Sequence, residues 1–219
     1  MFKNREEAGK LLSIELDKYR NVQPVVLAVP KGGLETGLPI SRFLGSEFSL
    51  IIVRNLRYLK DSETAFGALG EDGTLYLSYN AKGKLTKQEI EMVMKIEEQQ
   101  IRKRLNKFRK GTSLPSLESR TVILADDGIA TDSKIFAAIK MIKKQRPEKF
   151  IVAAPVIASD IYKKIKRRVD DAVALSISED CFAIPEIYDD FREVSDEKID
   201  RLLKQNEIKN NLLQTLNSV

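Results

Sequence analysis

"VILADDGIATDSK", Val122 to Lys134, decides how this chain is read. Val122-Ile123-Leu124-Ala125 is a short unbroken apolar run, the mark of a strand buried on both faces. Asp126 and Asp127 stand where that run stops, and Gly128-Ile129-Ala130-Thr131 follows as a small-residue loop. A helix is expected from 133 to 144, with Ile135, Ile139 and Ile142 facing inward. Adjacent carboxylates repel, so they need a partner: hydroxyl donors, a divalent cation or a developing positive charge. The first N–H groups of a helix have no partner inside it and can hold an anion. The plainer alternative is a solvated acidic turn before a helix capped by Asp132. Two acids, a glycine and a threonine at one strand end favour a ligand site.

The same rhythm extends in both directions. Residues 4 to 20 form an amphipathic helix pattern through Ala8, Leu11, Leu12, Leu16 and Tyr19, with Asn4 as its N-cap. "PVVLAV", "SLIIV", "FIVAAPV" and "AVALSI" are further buried strands, separated by helical stretches. This alternation predicts an α/β fold: a parallel sheet of about five strands with helices on both faces. Ligands of such sheets bind at the carboxyl ends of the strands.

Residues 54–112 interrupt the rhythm as an inserted hood. "AFGALGEDGTLYLS" reads as two short strands around the turn Gly70-Glu71-Asp72-Gly73. A long helix follows, opened by a Thr86/Glu89 capping box and closed near Gly111. One domain over residues 1–205 and a polar tail over 206–219 are expected, with the last helix starting near Ser195.

Composition narrows the chemistry. There are 219 residues, 42% hydrophobic and 32% charged, as in a soluble globular protein. No apolar run suits a membrane span, and the first residues do not resemble a secretory signal, so a cytoplasmic location is expected. Histidine is absent, which excludes Ser-His-Asp and Cys-His catalysis and argues against zinc. The single cysteine, Cys181, excludes an intrachain disulfide and reads as a small half-buried apolar residue. The net charge of +5 suits anionic ligands without selecting one.

In "PKGG", Gly32 and Gly33 let backbone approach an anion, and Lys31 adds charge. Residue for residue, "VILADDGIATDSK" resembles the ribose-phosphate signature of type I phosphoribosyltransferases. Asp132 stands in place of that family's glycine, and Lys134 in place of its second Thr or Ser. "FKNREEAGKLL", "LAVPKGG", "AFGALGEDG", "RLNKFRKG" and "YDDF...SDEKIDRLL" extend the likeness over about residues 2 to 205, to a bacterial and archaeal branch of the family.

The resemblance implies binding of phosphoribosyl pyrophosphate and transfer of its phosphoribosyl group to a nitrogenous acceptor with pyrophosphate release. Asp126 and Asp127 would hold the ribose hydroxyls. Gly128, Ile129, Ala130, Thr131, Asp132, Ser133 and Lys134 would surround the 5′-phosphate. Lys31, Gly32 and Gly33 would face the pyrophosphate, with Arg54 as a further cation. Mg²⁺ would be held mainly by ligand oxygens, with no direct protein metal site. The expected partners are a phosphosugar or nucleotide and a second copy of the chain.

The departures at Asp132 and Lys134 keep two other readings open: a non-catalytic sensor or RNA-binding regulator on the same fold, and a phosphorylase or hydrolase of a related phosphosugar. The basic end of the long helix reads first as a solvated face. Tyr188 and Phe191 read first as core. Asp132 is expected to cap the helix after the loop and to compete there with a bound phosphate.

Overall fold

The computed structural model describes residues 1–81, 83–179 and 183–217; Cys181 lies outside them. The chain opens with α1 (Arg5–Glu15), capped by the Asn4 side chain, which accepts from the Glu7 N–H. Then come β1 (Val25–Ala28), α2 (Gly32–Leu44) and β2 (Glu47–Leu50). The inserted region holds β3 (Val53–Tyr58), β4 (Asp61–Gly70), β5 (Leu75–Leu77) and α3 (Lys87–Arg109). The alternation resumes with β6 (Thr121–Ala125), α4 (Ser133–Lys144), β7 (Lys149–Ala158), α5 (Ser159–Lys166) and β8 (Asp171–Ser178), and α6 (Asp196–Asn217) ends it.

The fold is α/β. Five strands form one sheet in the order β2-β1-β6-β7-β8, and every neighbouring pair is parallel. Successive side chains of a strand point to opposite faces, and both faces are covered. Val26, Ile123 and Ile151 meet Leu12, Leu16, Ile40 and Leu44 of α1, its extension and α2. Val25, Leu27, Val122, Leu124 and Val152 meet Ile135, Ile139 and Ile142 of α4 and Ile161 and Ile165 of α5 on the other side. All nine residues of β1 and β6 are buried, which is why they read as unbroken apolar runs.

The hood is a separate antiparallel sheet, β3-β4-β5, with α3 packed beside it. Thr86 and Glu89 form the expected capping box of α3. Leu56, Phe66, Leu69, Val93, Ile101 and Phe108 share a core with Leu34 and Leu38 of α2 and with Ile199 of α6. The sequence suggests two hood strands; the structure has three. The missed one, Val53–Tyr58, is buried only at Val53 and Leu56, so its polar residues hide the pattern. α6 also runs on through Asn217, past residue 206 where a tail is expected. Among the described residues, no helix is long and apolar enough to cross a membrane.

Candidate ligand site at the carboxyl edge of the sheet

β1 and β6 are adjacent and in register, Ala28 opposite Ala125, so their carboxyl ends deliver two loops to one place. Residues 29–31 lead from β1 into α2, and 126–132 lead from β6 into α4. The Pro30–Lys31 peptide bond in the first loop is cis. Two helix N-termini therefore open onto the same edge, each bringing unpaired N–H groups and the positive end of a helix dipole.

Between them stand the two acids. Asp126 is 9% exposed; its N–H donates to the Ala153 carbonyl, and its Oδ1 accepts from the Asp127 N–H at 3.0 Å. Burial pushes the Asp126 carboxyl well above the usual carboxylate range; the neighbouring Asp127 adds to the rise, and Lys134 opposes it. Lys134 is thus electrostatically coupled to the acid pair from the first turn of α4.

Asp127 is held differently. Arg5, the first residue of α1, donates from Nε to its Oδ2 at 2.6 Å. The Arg5 side chain is 6% exposed and also faces Glu35 at 3.6 Å. Its guanidinium lies 3.7 Å from the Phe191 ring centre and donates to the Arg192 carbonyl. The Tyr188 hydroxyl donates to the Asp127 carbonyl at 2.6 Å, and burial pushes that phenol upward. Tyr188 and Phe191 stack at 5.4 Å, so they act as core around Arg5. The N-terminal segment reaches this place because Phe2 pairs with Ile187 and Asp189 through backbone hydrogen bonds.

The glycines that open α2 follow from this packing. A Cβ on Gly32 would fall 1.8 Å from Asp127 Oδ2, and one on Gly33 would fall 3.0 Å from the Ala125 carbonyl and 3.1 Å from Asp126 Oδ1. At Gly128 a Cβ would press on Ile184 at 3.1 Å. Ile129 is tied to β7, its N–H donating to the Val156 carbonyl and its carbonyl accepting from Ala158. Ala130, Thr131 and Asp132 then lead to α4, where Ser133 is buried.

Asp132 occupies the N-cap position of α4 but makes no capping hydrogen bond. This corrects the expectation of a self-capped helix. Its backbone is helical rather than extended, and its carboxylate meets the Tyr76 hydroxyl of β5 at 3.4 Å and the Ser133 hydroxyl at 3.3 Å. The first N–H groups of α4 are consequently not covered by this side chain.

Asp126, Asp127, Gly32, Gly33 and the start of α4 are brought together. Two expected cations are engaged elsewhere. Lys31 binds Glu193 at 3.0 Å and Asp196 at 3.4 Å, and these acids, Glu193 first, hold its ammonium above its usual value. Arg54 pairs with Glu97 of α3 at 2.7 Å. Sequence reasoning missed Arg5. The available signal was a cation in the first turn of a helix, where the dipole disfavours it unless acids are near.

The fold agrees with what the chain is similar to. The family model described as phosphoribosyl transferase domain matches residues 3–195. The Mycobacterium tuberculosis (strain ATCC 25618 / H37Rv) protein named "Putative phosphoribosyl transferase Rv0571c" is 28% identical over 201 residues, covering 91% of this chain. This chain spans only 45% of that relative's length. The crystal structure of TT1426 from Thermus thermophilus is 32% identical with a TM-score of 0.79, covering 93% of this chain and 97% of that one. AQ2163 from Aquifex aeolicus, 14% identical over 83% of this chain and 80% of its own, shares the fold with a TM-score of 0.51.

Proposed function

This chain belongs to the phosphoribosyl transferase domain family, and on that premise we propose that it binds phosphoribosyl pyrophosphate and transfers the phosphoribosyl group to a nitrogenous acceptor. The observation that carries this reading is the Asp126–Asp127 pair, Asp126 buried and Asp127 half-buried, set between the glycines that open α2 and the start of α4, which its N-cap side chain leaves uncapped. Hydroxyl donors of a ribose match two adjacent carboxylates, and a 5′-phosphate matches the N–H groups of residues 130–134.

In the reaction the C1–O bond to pyrophosphate breaks, its electron pair leaving on the pyrophosphate, while the acceptor nitrogen bonds C1 from the opposite face. Positive charge grows on the ribose ring in between, and the Asp126–Asp127 pair, with Asp126 ionised in the ligand complex, would stabilise that charge. The hydrogen bond from Arg5 Nε to Asp127 Oδ2 would hold that carboxylate in place as the charge develops. Without a Cβ at Gly32 and Gly33 the start of α2 packs directly on Asp127 and Asp126, and its first N–H groups would be the backbone donors that face the leaving group.

Among the described residues, no group of three or more His, Cys, Asp or Glu is placed to hold a metal ion. Mg²⁺ would be held mainly by ligand oxygens, with no direct protein metal site, and the two adjacent carboxylates fit it as hard, negatively charged neighbours. Bound Mg²⁺ would neutralise the pyrophosphate as it departs.

A second reading is binding without turnover. The tie of Lys31 to Glu193 and Asp196 favours it, because that cation must be released before it can face pyrophosphate. The test is incubation with phosphoribosyl pyrophosphate, Mg²⁺ and a panel of purine, pyrimidine and pyridine bases. Transfer predicts pyrophosphate release equal to the N-riboside 5′-phosphate formed, with one base preferred. Release without an acceptor means a hydrolase, and binding without release means a sensor; either result overturns the transferase reading.

A further inference from the structure

The outer face of α4 carries a feature that the proposed reaction leaves unused. A cavity of about 510 Å³ lies between β5 of the hood, α4 and Arg168 after α5, within the size range of small-molecule sites. Half-buried Tyr76 of β5 gives it an aromatic wall, backed by the buried Phe136 of α4 with ring centres 5.6 Å apart. Lys140, Lys143, Lys144 and Arg168 surround it. The Arg168 guanidinium already lies 4.8 Å from the Phe136 ring centre.

These cations are poorly compensated. Lys140 donates to the Leu75 carbonyl, Lys143 to the Arg168 carbonyl and Arg168 to the Lys164 carbonyl. Backbone carbonyls satisfy donors without cancelling charge. Among the described residues only Lys144 of the four pairs with a carboxylate, that of Asp72.

A second hollow of about 410 Å³ adjoins the first and shares Lys143 and Arg168 with it. Arg146 and Arg167 add two cations there. Glu148 and Asp170 are its two acids, Asp170 accepting from the Phe150 N–H at 2.7 Å, against the four cations Lys143, Arg146, Arg167 and Arg168.

An aromatic hollow that opens into a cationic one has the order of parts of a nucleotide: a planar base followed by phosphates. Bases stack on aromatic rings and guanidinium planes, and several phosphates need several cations. We propose that this pair of hollows binds a nucleoside polyphosphate, with its base against Tyr76 and the Arg168 guanidinium and its phosphates along Lys143, Arg146 and Arg167. The cations converge on two adjoining hollows rather than following a long groove, which favours one mononucleotide over a nucleic acid strand. Its occupant would also bridge the hood to α4 through Tyr76, whose hydroxyl contacts Asp132 of the loop before α4.

Calorimetric titration with ATP, GTP, AMP and inorganic pyrophosphate tests this, using wild type, Lys143→Gln/Arg168→Gln and Asp126→Asn. A triphosphate should bind wild type at least tenfold tighter than AMP or pyrophosphate. Lys143→Gln/Arg168→Gln, with its melting temperature kept, should weaken it at least tenfold, and Asp126→Asn should leave it within about twofold. Absence of triphosphate binding overturns the proposal. So does pyrophosphate binding as tightly as ATP, which would mean an anion patch that ignores the base. Indifference to Lys143→Gln/Arg168→Gln, or loss in Asp126→Asn, would place the nucleotide in the main site. Single-stranded RNA binding tighter than any mononucleotide would make the face a nucleic acid surface instead.

Discussion

Arg5 Nε donates to Asp127 Oδ2 at 2.6 Å across 122 residues of sequence, and both side chains are largely withdrawn from water. This pair fixes the chain's first helix to the acids after β6. It also explains Gly32, because any Cβ there would collide with the same carboxylate oxygen.

Removing one partner strands a buried charge. Arg5→Met should destabilise the protein by about 3–5 kcal/mol in urea denaturation. Arg5→Met combined with Asp127→Asn should cost less than the sum of the single changes, by at least about 1 kcal/mol. Additive costs would mean that the ion pair contributes nothing specific.

Gly32→Ala should cost about 1–3 kcal/mol, as overpacking does. The strain is concentrated at one ion pair, so Gly32→Ala in the Asp127→Asn background should cost no less, since asparagine is as large. In the Asp127→Ala background, where the colliding oxygen is gone, the cost should shrink. Denaturant midpoints at equal m-value decide the matter.

Asp126 gives the protein a pH signature. Its folded-state pKa is raised above the unfolded value of about 4. Between those two values the folded state binds more protons than the unfolded one, so stability falls as pH rises. The chain has no histidine, but burial raises Glu71 as well, so the Asp126 share is the difference between wild type and Asp126→Asn. Urea denaturation from pH 5 to 8 should show declining stability. Asp126→Asn should flatten the slope and exceed wild type at pH 8 by at least about 1.4 kcal/mol, the equivalent of one pKa unit. A wild-type curve that rises with pH would contradict the burial of this carboxyl.

Much of the main sheet is legible in the sequence because its central strands are buried on both faces. TVILA and VVLA cannot be mistaken for surface segments, and the turn chemistry after them announces a ligand edge. β3 is illegible for the opposite reason: a hood strand with few inward residues gives no period. Arg5 is illegible because its partner lies far along the chain; only its position against a helix dipole hints that acids are near. The diversion of Lys31 to Glu193 and Asp196 depends on how the start of α6 folds over the glycine loop, which no local pattern encodes.

Asp132 illustrates a local expectation redirected by packing. At the N-cap position it is expected to occupy the helix N–H groups, but Tyr76 of the hood takes its carboxylate instead. Asp132→Gly should therefore change the affinity for phosphoribosyl pyrophosphate by less than about threefold, well under the 1.4 kcal/mol of a tenfold change. Calorimetric titration checks this, and tightening by a factor of ten would restore the competing carboxylate.

The central claim is that the Asp126–Asp127 edge receives a phosphoribosyl ligand. Its most direct measurement is calorimetric titration of Mg²⁺-phosphoribosyl pyrophosphate at pH 7 in two buffers of different ionisation enthalpy. Bound ribose and Mg²⁺ stabilise the ionised Asp126 carboxyl, so wild type should release protons on binding. Asp126→Asn should bind at least tenfold more weakly and lose the proton release. Absence of binding, or equal affinity in wild type and Asp126→Asn, would contradict the account.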